Sequence, residues 1–362
     1  MLGKFLNPNR IWFTIVLLHI VASVLVYLLE FLPFSAMMAT AIIWIVLAAL
    51  WKNDPKIIGF CIIGWMITVY IMHSQDISSQ GTILLNEILM LYVFWICRKS
   101  YVKPLEYCHL RRPSLKSICL IIIVAIFLFI MADYVNACSM LAFQNLLDDS
   151  LQEVRNNPIK ALIAVAVLPA FIEETLFRGL IYQGIPNKRM AILISAVLFA
   201  LLHMNFNQMC YAFVMGLAFA VVIYITDNLT VTILFHMLFN AFTVMIFCFP
   251  SSNVISGILR CNIAGYSLFN PSLTDIQGVL QPKLVVVGGI IAILSALIAG
   301  YLIFLIGKAE KENIEKANTE LEAGIVNENF ILAENKNWKP DIRFFAGSGI
   351  CILIAILYEV II

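Results

Sequence analysis

The chain has 362 residues, of which 62% are hydrophobic and 12% are charged, and its formal net charge at pH 7 is +1. A soluble domain carries roughly 25% charged residues. Half that density excludes an ordinary soluble domain and indicates that the lipid bilayer is the solvent, and a net charge near zero gives no electrostatic basis for binding nucleic acid.

Apolar runs long enough, or nearly long enough, to cross a bilayer recur from one end of the chain to the other. They predict about eleven transmembrane helices, within a range of roughly eight to eleven, and therefore an all-α, polytopic helical bundle. The predicted spans are 11–32, 34–51, 57–73, 82–97, 115–132, 159–182, 190–204, 209–226, 229–250, 283–307 and 343–362.

Basic residues predict the orientation, because cytoplasmic loops are enriched in lysine and arginine. Arg10 precedes the first span, the largest basic cluster lies in 98–116, and Lys188 begins the next one. Further lysines lie in 308–342. A cytoplasmic N-terminus places all of these on one side. We therefore expect a multi-pass integral membrane protein, in the plasma membrane if the chain is bacterial.

Two polar stretches interrupt the pattern of spans. Residues 137–158 alternate apolar and acidic positions, which predicts an amphipathic helix lying in the outer membrane interface. Residues 308–342 form a charged segment that we expect to be cytoplasmic and either partly helical or disordered.

Ionisable side chains inside apolar runs are rare and usually mark function. His19, Glu30 and Glu87 lie in early runs, and we expect the first two to face other helices. Most of the remaining ones fall between residues 170 and 240. This concentration makes 170–240 the candidate functional region.

The sequence AFIEETLFRG in the sixth predicted span contains Glu173, Glu174 and Arg178. Glu174 and Arg178 are four residues apart on one helix face, where they can pair. Glu173 points about 100° away, so it lacks that partner and can accept a proton from water near neutral pH. We expect Glu173 to lie about 9–13 Å from the cytoplasmic end of its span and His203 about 20 Å up the next one, so that they meet only if Pro169 kinks the helix.

Two histidines follow on later helices. Phe199 and His203 are four residues apart, and so are His236 and Asn240. With Glu173, these residues supply a base, a second proton-handling group and neutral donors for an oxyanion, which is what adding water to a carbonyl requires. Glu173, His203 and His236 could instead hold zinc, although the sequence contains no HExxH motif.

The three pieces, in this order, resemble the motifs of the CPBP family, the CAAX-prenyl protease and bacteriocin-processing family also called Abi. Its motifs EExxxR, FxxxH and HxxxN are matched by residues 173–178, 199–203 and 236–240. The resemblance extends over residues 158–246 and implies an intramembrane endopeptidase with an all-helical core. It also implies a membrane-associated or prenylated-type peptide or protein as the substrate, with membrane lipid around it.

The resemblance also implies roles for individual residues. Glu173 and His203 would activate water, and His236 and Asn240 would stabilise the oxyanion. The residues that would brace the site are Glu174, Arg178 and Phe199. Members of the family are described both as metalloproteases and as metal-independent glutamate proteases, so a divalent metal such as zinc stays open.

On this basis the chain divides into three regions. Residues 1–157 are an N-terminal transmembrane extension of about five spans with the interfacial helix, residues 158–250 are the protease core, and residues 251–362 are C-terminal spans with the charged loop 308–342. A non-catalytic bacteriocin-immunity or binding protein is one alternative function. A proton-coupled transporter is another, although the chain lacks the paired interrupted helices typical of transporters.

Overall fold

The computed structural model describes most of the chain as helix. The described residues are 6–29, 33–50, 61–66, 77–100, 107–144, 157–322 and 338–361. Within them, paired strands are confined to one short hairpin and one isolated bridge. Every predicted span that overlaps these ranges contains helix, because long apolar runs without breakers satisfy their backbone polar groups internally in lipid.

In the part of the chain that the structure describes, four longer helices precede the motif region, and residues 61–66 are helical as well. The four are α1 (Pro8–Leu29), α2 (Pro33–Leu50), α3 (Ile77–Lys99) and α4 (Leu115–Ser139). Ser114 caps α4 by accepting a hydrogen bond from the backbone of Ser117 at 3.1 Å. This helix continues beyond its predicted end at 132 and includes residues 137–139. Most of the predicted interfacial helix at 137–158, namely residues 145–156, lies outside the described residues.

Three helices carry the motifs, a fourth lies between the last two of them in sequence, and an asparagine caps each of the four. The helices are α5 (from Pro158 to Gly184), α6 (Lys188–Leu202), α7 (Phe206–Thr226) and α8 (Leu229–Cys248). Their caps are Asn157, Asn187, Asn205 and Asn228, whose side chains accept backbone N–H groups of the first turn. Such caps satisfy donors that a helix start otherwise leaves unpaired.

The helix α5 changes pitch on both sides of the two glutamates. Two π-helical segments, Leu162–Val167 and Thr175–Ile181, flank the α-helical stretch Leu168–Glu174. Pro169 lies in that stretch, and because it has no N–H it cannot bond to the carbonyl of Val165 as an α-helical residue would. π turns inside α-helices are rare and occur frequently at functional sites.

A loop with little regular structure joins α8 to the C-terminal helices. It contains the short helix α9 (Asn253–Leu259) and a hairpin in which β1 (Asn262–Ile263) pairs antiparallel with β2 (Tyr266–Ser267). Ala264 and Gly265 take the positive φ values of the tight turn. The last two helices are α10 (Pro282–Glu322) and α11 (Ile342–Ile361).

Among the described residues, six helices are long and apolar enough to cross a membrane. These stretches are Pro8–Leu25, Leu115–Ser139, Phe206–Thr226, Leu229–Cys248, Pro282–Glu315 and Ile342–Val360, and Thr40–Leu50 is a shorter apolar one. The predicted all-helical membrane protein is confirmed to this extent. The count of about eleven spans, the cytoplasmic N-terminus and the plasma membrane stay predictions.

The motif helices pack around one centre. α8 packs against α5 and α4, and α6 packs along α7. Gly216 permits the close approach of the latter pair, since a Cβ on it would lie 3.1 Å from Cα of Ala196 and 3.2 Å from Cδ1 of Phe199. This packing turns the residues of all three motifs toward the same part of the bundle.

Candidate active site

A fully buried ion pair forms the base of the site. Arg178 donates from Nη1 to Oε1 of Glu174 at 2.8 Å, and both side chains have no exposed surface. Its Nη2 donates to the carbonyl of Gly216, also at 2.8 Å. The rings of Phe199 and Phe219 lie 4.6 Å and 5.3 Å from the guanidinium carbon. The pairing predicted from the four-residue spacing is therefore present, and aromatic rings enclose it.

The same glutamate orients the histidine of the third motif. Nδ1 of His236 lies 3.0 Å from Oε1 of Glu174, so this oxygen serves two partners. The imidazole stacks on Phe219 with a centroid distance of 4.7 Å and meets the edge of Phe199 at 5.7 Å. His236 is thus held by a buried carboxylate and by two rings.

Asn240 fixes the tautomer of His236. Its Nδ2 donates to the carbonyl of Val165 at 3.0 Å, which is the carbonyl that Pro169 leaves without an α-helical donor. The same Nδ2 lies 3.2 Å from Nε2 of His236. Because a carbonyl only accepts, the amide nitrogen must face it, so Nε2 accepts and Nδ1 donates to Glu174.

Glu173 lies beside this network and makes no hydrogen bond through its side chain to any described residue. Its side chain is 22% exposed, and its Oε2 is 4.0 Å from Nε2 of His236. That separation is too long for a direct hydrogen bond. A single water in contact with both atoms would bridge a gap of this length.

His203 occupies a different position from the other predicted catalytic residues. It ends α6, and its Nδ1 donates to the carbonyl of Phe199 at 3.0 Å, which leaves Nε2 as the basic nitrogen. The ring of Phe199 contacts His203 at 5.2 Å as well as His236. Across the described ranges, no hydrogen bond joins His203 to Glu173, His236 or Asn240.

The three predicted zinc ligands are not gathered into one cluster among the described residues. The described part of the chain holds no group of three or more His, Cys, Asp or Glu side chains that could bind a metal ion. Of the three candidates, Glu173 and His236 are 4.0 Å apart. The Nδ1 atoms of His203 and His236 are each bonded to an acceptor, so Nε2 is the atom through which either ring would hold a metal.

A residue of the first helix lies near the second motif, which the sequence did not predict. His19 is close enough to His203 for the two imidazoles to interact electrostatically, and its Nδ1 is buried without a hydrogen-bond partner among the described residues. Trp12 packs against Phe177 in the first motif at 6.4 Å. In the sequence, the one indication of a role for His19 is that it is an ionisable residue within an apolar run.

A family model described as type II CAAX prenyl endopeptidase Rce1-like matches residues 155–242. This chain contains an Rce1-like domain. The matched region includes Glu173, His203 and Asn240, so the resemblance predicted from the three motifs is confirmed. An Rce1-like domain supports a peptidase, and with the apolar helices an intramembrane protease in general. A search of curated proteins and a search of solved structures each returned no match.

Proposed function

We propose that the Rce1-like domain hydrolyses a peptide bond of a membrane-associated or prenylated-type peptide or protein, with Glu173 as the group that activates water. The observation that carries this proposal is the 4.0 Å separation between Glu173 Oε2 and His236 Nε2. A water between them would donate a hydrogen to the Glu173 carboxylate and lie beside Nε2 of His236, with a lone pair directed at a substrate carbonyl.

Buried polar atoms nearby also support a site that holds water. Oε2 of Glu174 and Nε of Arg178 have no hydrogen-bond partner among the described residues. Buried groups of this kind are usually satisfied by ordered water. A bundle interior with such atoms can supply the nucleophile that hydrolysis needs.

In the proposed reaction, one water proton moves to Glu173 as the water oxygen bonds to the carbonyl carbon. Passing that proton to Nε2 of His236 creates an imidazolium, which Glu174 stabilises through Nδ1. Nε2–H and the amide of Asn240, no longer donating to Nε2, can then donate to the oxyanion. Donors that become available as the oxyanion forms stabilise the transition state more than the ground state.

The second half of the reaction returns the proton. As the carbon–nitrogen bond breaks, the imidazolium gives its proton to the departing amine, and the other product is a carboxylic acid. His203 has a free basic nitrogen and contacts the site through Phe199. We assign it, with Glu173, to proton handling around the attacking water.

The experiment is cleavage of a quenched-fluorescence peptide with a prenylated cysteine by purified protein in detergent. Glu173→Gln should lower kcat by about 100-fold or more and leave the unfolding temperature unchanged, because the Glu173 side chain is partly exposed and makes no hydrogen bond with the described residues. Glu312→Gln, at an exposed position on α10, is the matched control.

Wild-type rates in Glu173→Gln would refute the assignment of the base. Wild-type protein that binds the peptide without cleaving it would instead favour the non-catalytic alternative. An unprenylated copy of the same peptide tests whether the lipid is part of what the site recognises.

A further inference from the structure

The turn that follows His203 has an unusual backbone. His203 ends α6, and the next residue, Met204, has φ +51°. Glycine is the residue that normally ends a helix in this left-handed conformation. Met204 is also buried, with 5% of its surface exposed. Backbone strain of this kind persists only where surrounding contacts determine the conformation, and it is found preferentially at active sites.

Two asparagines after the turn supply such contacts. Asn205 caps α7 by accepting a hydrogen bond from the backbone of Gln208 at 2.9 Å. Asn207 is fully buried, and its Nδ2 donates to Oγ of Ser139 at 2.8 Å and to Oδ1 of Asn136 at 3.0 Å. The turn is therefore bound to the end of α4, outside the matched region 155–242.

The same helix also contacts the third motif. Phe129 of α4 meets the ring of Phe239 at 5.4 Å and that of Phe242 at 4.7 Å, and these two rings lie on either side of Asn240 in the sequence of α8. A single helix of the N-terminal extension thus holds both the turn after His203 and the helix that carries His236.

We propose that Asn207 is a positioning residue for His203, and that α4 acts through it to set where the imidazole lies relative to His236 and Asn240. The inference rests on the proposed function. Without the two hydrogen bonds, the polar link that remains between Asn207 and α4 is the longer one from Oγ of Ser139 to the backbone carbonyl of Asn207, at 3.5 Å, and the strained backbone at Met204 can relax. His203 would then lose the fixed geometry that proton transfer requires.

The test compares Asn207→Ala and Ser139→Ala with Asn313→Ala. Asn313 donates one long-range hydrogen bond, to the carbonyl of Arg112 at 2.9 Å, far from the motifs in sequence. Asn207→Ala should lower kcat by about 10- to 100-fold with KM changed less than about twofold. Ser139→Ala, which leaves the bond to Asn136, should have a smaller effect in the same direction and serves if Asn207→Ala does not fold.

A second readout does not depend on activity. The chain has five histidines, so the ¹⁵N imidazole signals of histidine-labelled protein can be assigned with His203→Gln. Asn207→Ala should shift the His203 signals away from the Nδ1–H tautomer and leave those of His236 in place. The control Asn313→Ala should leave both unchanged.

Unchanged His203 signals and an unchanged kcat in Asn207→Ala would overturn the proposal. An equal loss of kcat in Asn313→Ala would also overturn it, because that result would reduce Asn207 to general stability. If Glu173→Gln is inactive while Asn207→Ala retains full activity, the proposed function stands and only this inference fails.

Discussion

Glu173 and Glu174 are the same residue type at adjacent positions, yet their surroundings differ completely. Glu174 is fully buried and its Oε1 accepts from Arg178 and His236. Glu173 is 22% exposed and makes no side-chain hydrogen bond with described residues. The rotation of about 100° per residue places one carboxylate against the neighbouring helices and leaves the other partly exposed. The environment, and not the residue type, separates a bracing carboxylate from a reactive one.

Replacing Arg178 by methionine tests the bracing role. The substitution leaves Glu174 as a buried carboxylate without its cation, and breaking a buried pair from one side costs about 3–5 kcal/mol. Equilibrium unfolding in detergent should show this loss of free energy. The double variant Arg178→Met, Glu174→Gln should recover part of it because no unpaired charge remains. A double variant as unstable as the single one would contradict this account.

The sequence predicted contacts within one helix better than contacts between helices. Spacing alone predicted that Glu174 pairs with Arg178. It could not predict that Asn240 binds the carbonyl of Val165, to which Pro169 has no N–H to donate, because Asn240 and Val165 lie on different helices. Nor could it predict that His19 approaches His203. The order and identity of the motif residues were readable, whereas the hydrogen bonds that orient them depend on helix packing.

At the scale of elements, Gly216 sets the distance between α6 and α7. Gly216→Ala should lower the free energy of unfolding by about 1–3 kcal/mol, because the added Cβ meets the backbone of Ala196 and the ring of Phe199 at 3.1–3.2 Å. Gly300→Ala is the matched control on α10, where a Cβ meets nothing within 4 Å. It should be neutral or stabilising by up to about 1 kcal/mol. Equal shifts in unfolding temperature would refute the packing explanation.

Helix boundaries illustrate what hydropathy can and cannot predict. Hydropathy predicts membrane spans that end at 132 and 307, whereas the helices α4 and α10 continue to Ser139 and Glu322, the latter into the segment 308–342 that we expected to be partly helical or disordered. Neither extension contains glycine or proline, and the second is rich in the strong helix formers Glu, Lys and Ala. Apolar character marks where a helix lies in lipid. Breakers and caps mark where it ends.

Across the whole molecule, one buried carboxylate ties the C-terminal extension to the motif region. Glu310 on α10 has no exposed surface. Its Oε1 accepts from the backbone of Ser114 and its Oε2 from the side chain of Asn228, both at 2.8 Å. These two partners cap α4 and α8. The pattern of basic residues predicts that Ser114, Asn228 and Glu310 all lie on the cytoplasmic side of the membrane. The hydrogen bonds of Glu310 bring these three residues together.

Glu310→Ala should destabilise the protein by about 2–3 kcal/mol, since it leaves the buried donor of Asn228 and the half-buried donor of Ser114 without acceptors. Glu312→Ala, two residues along the same helix and exposed, should change the unfolding free energy little. Denaturant titration in detergent measures both. Equal effects of the two variants would show that α10 is held by apolar packing alone.

The same side of the molecule carries a pH-dependent contact. Oδ1 of Asp227 lies 2.6 Å from Nδ1 of His109, and Oδ2 of Asp227 lies 3.1 Å from Nη2 of Arg111. Burial alone would raise the pKa of Asp227, but the His109 hydrogen bond and the charges of His109, Arg111 and Lys188 outweigh it and lower the pKa below its ordinary value. The contact therefore stabilises the fold above the ordinary pKa and is lost as the pH falls through the lowered one.

Asp227→Asn should accordingly lower the unfolding temperature at pH 7, and the difference from wild type should shrink below about pH 4. Thermal unfolding from pH 7 down to pH 3 measures it. A difference that stays constant across this range would show that the charge of Asp227 contributes nothing.

The two π segments of α5 have a consequence for how this helix tolerates insertions and deletions. Each holds one more residue per turn than an α-helix, so removing one residue from Leu162–Val167 would leave an α-helical turn and change the phase of its flanks little. Removing one residue from 168–172, which is α-helical, would instead rotate everything before it by about 100°. That is the same angle that separates residue 173 from residue 174. Such a deletion would turn Val165 away from Asn240 and leave every motif residue unchanged. The number of residues before the two glutamates therefore determines the site as much as the glutamates themselves do.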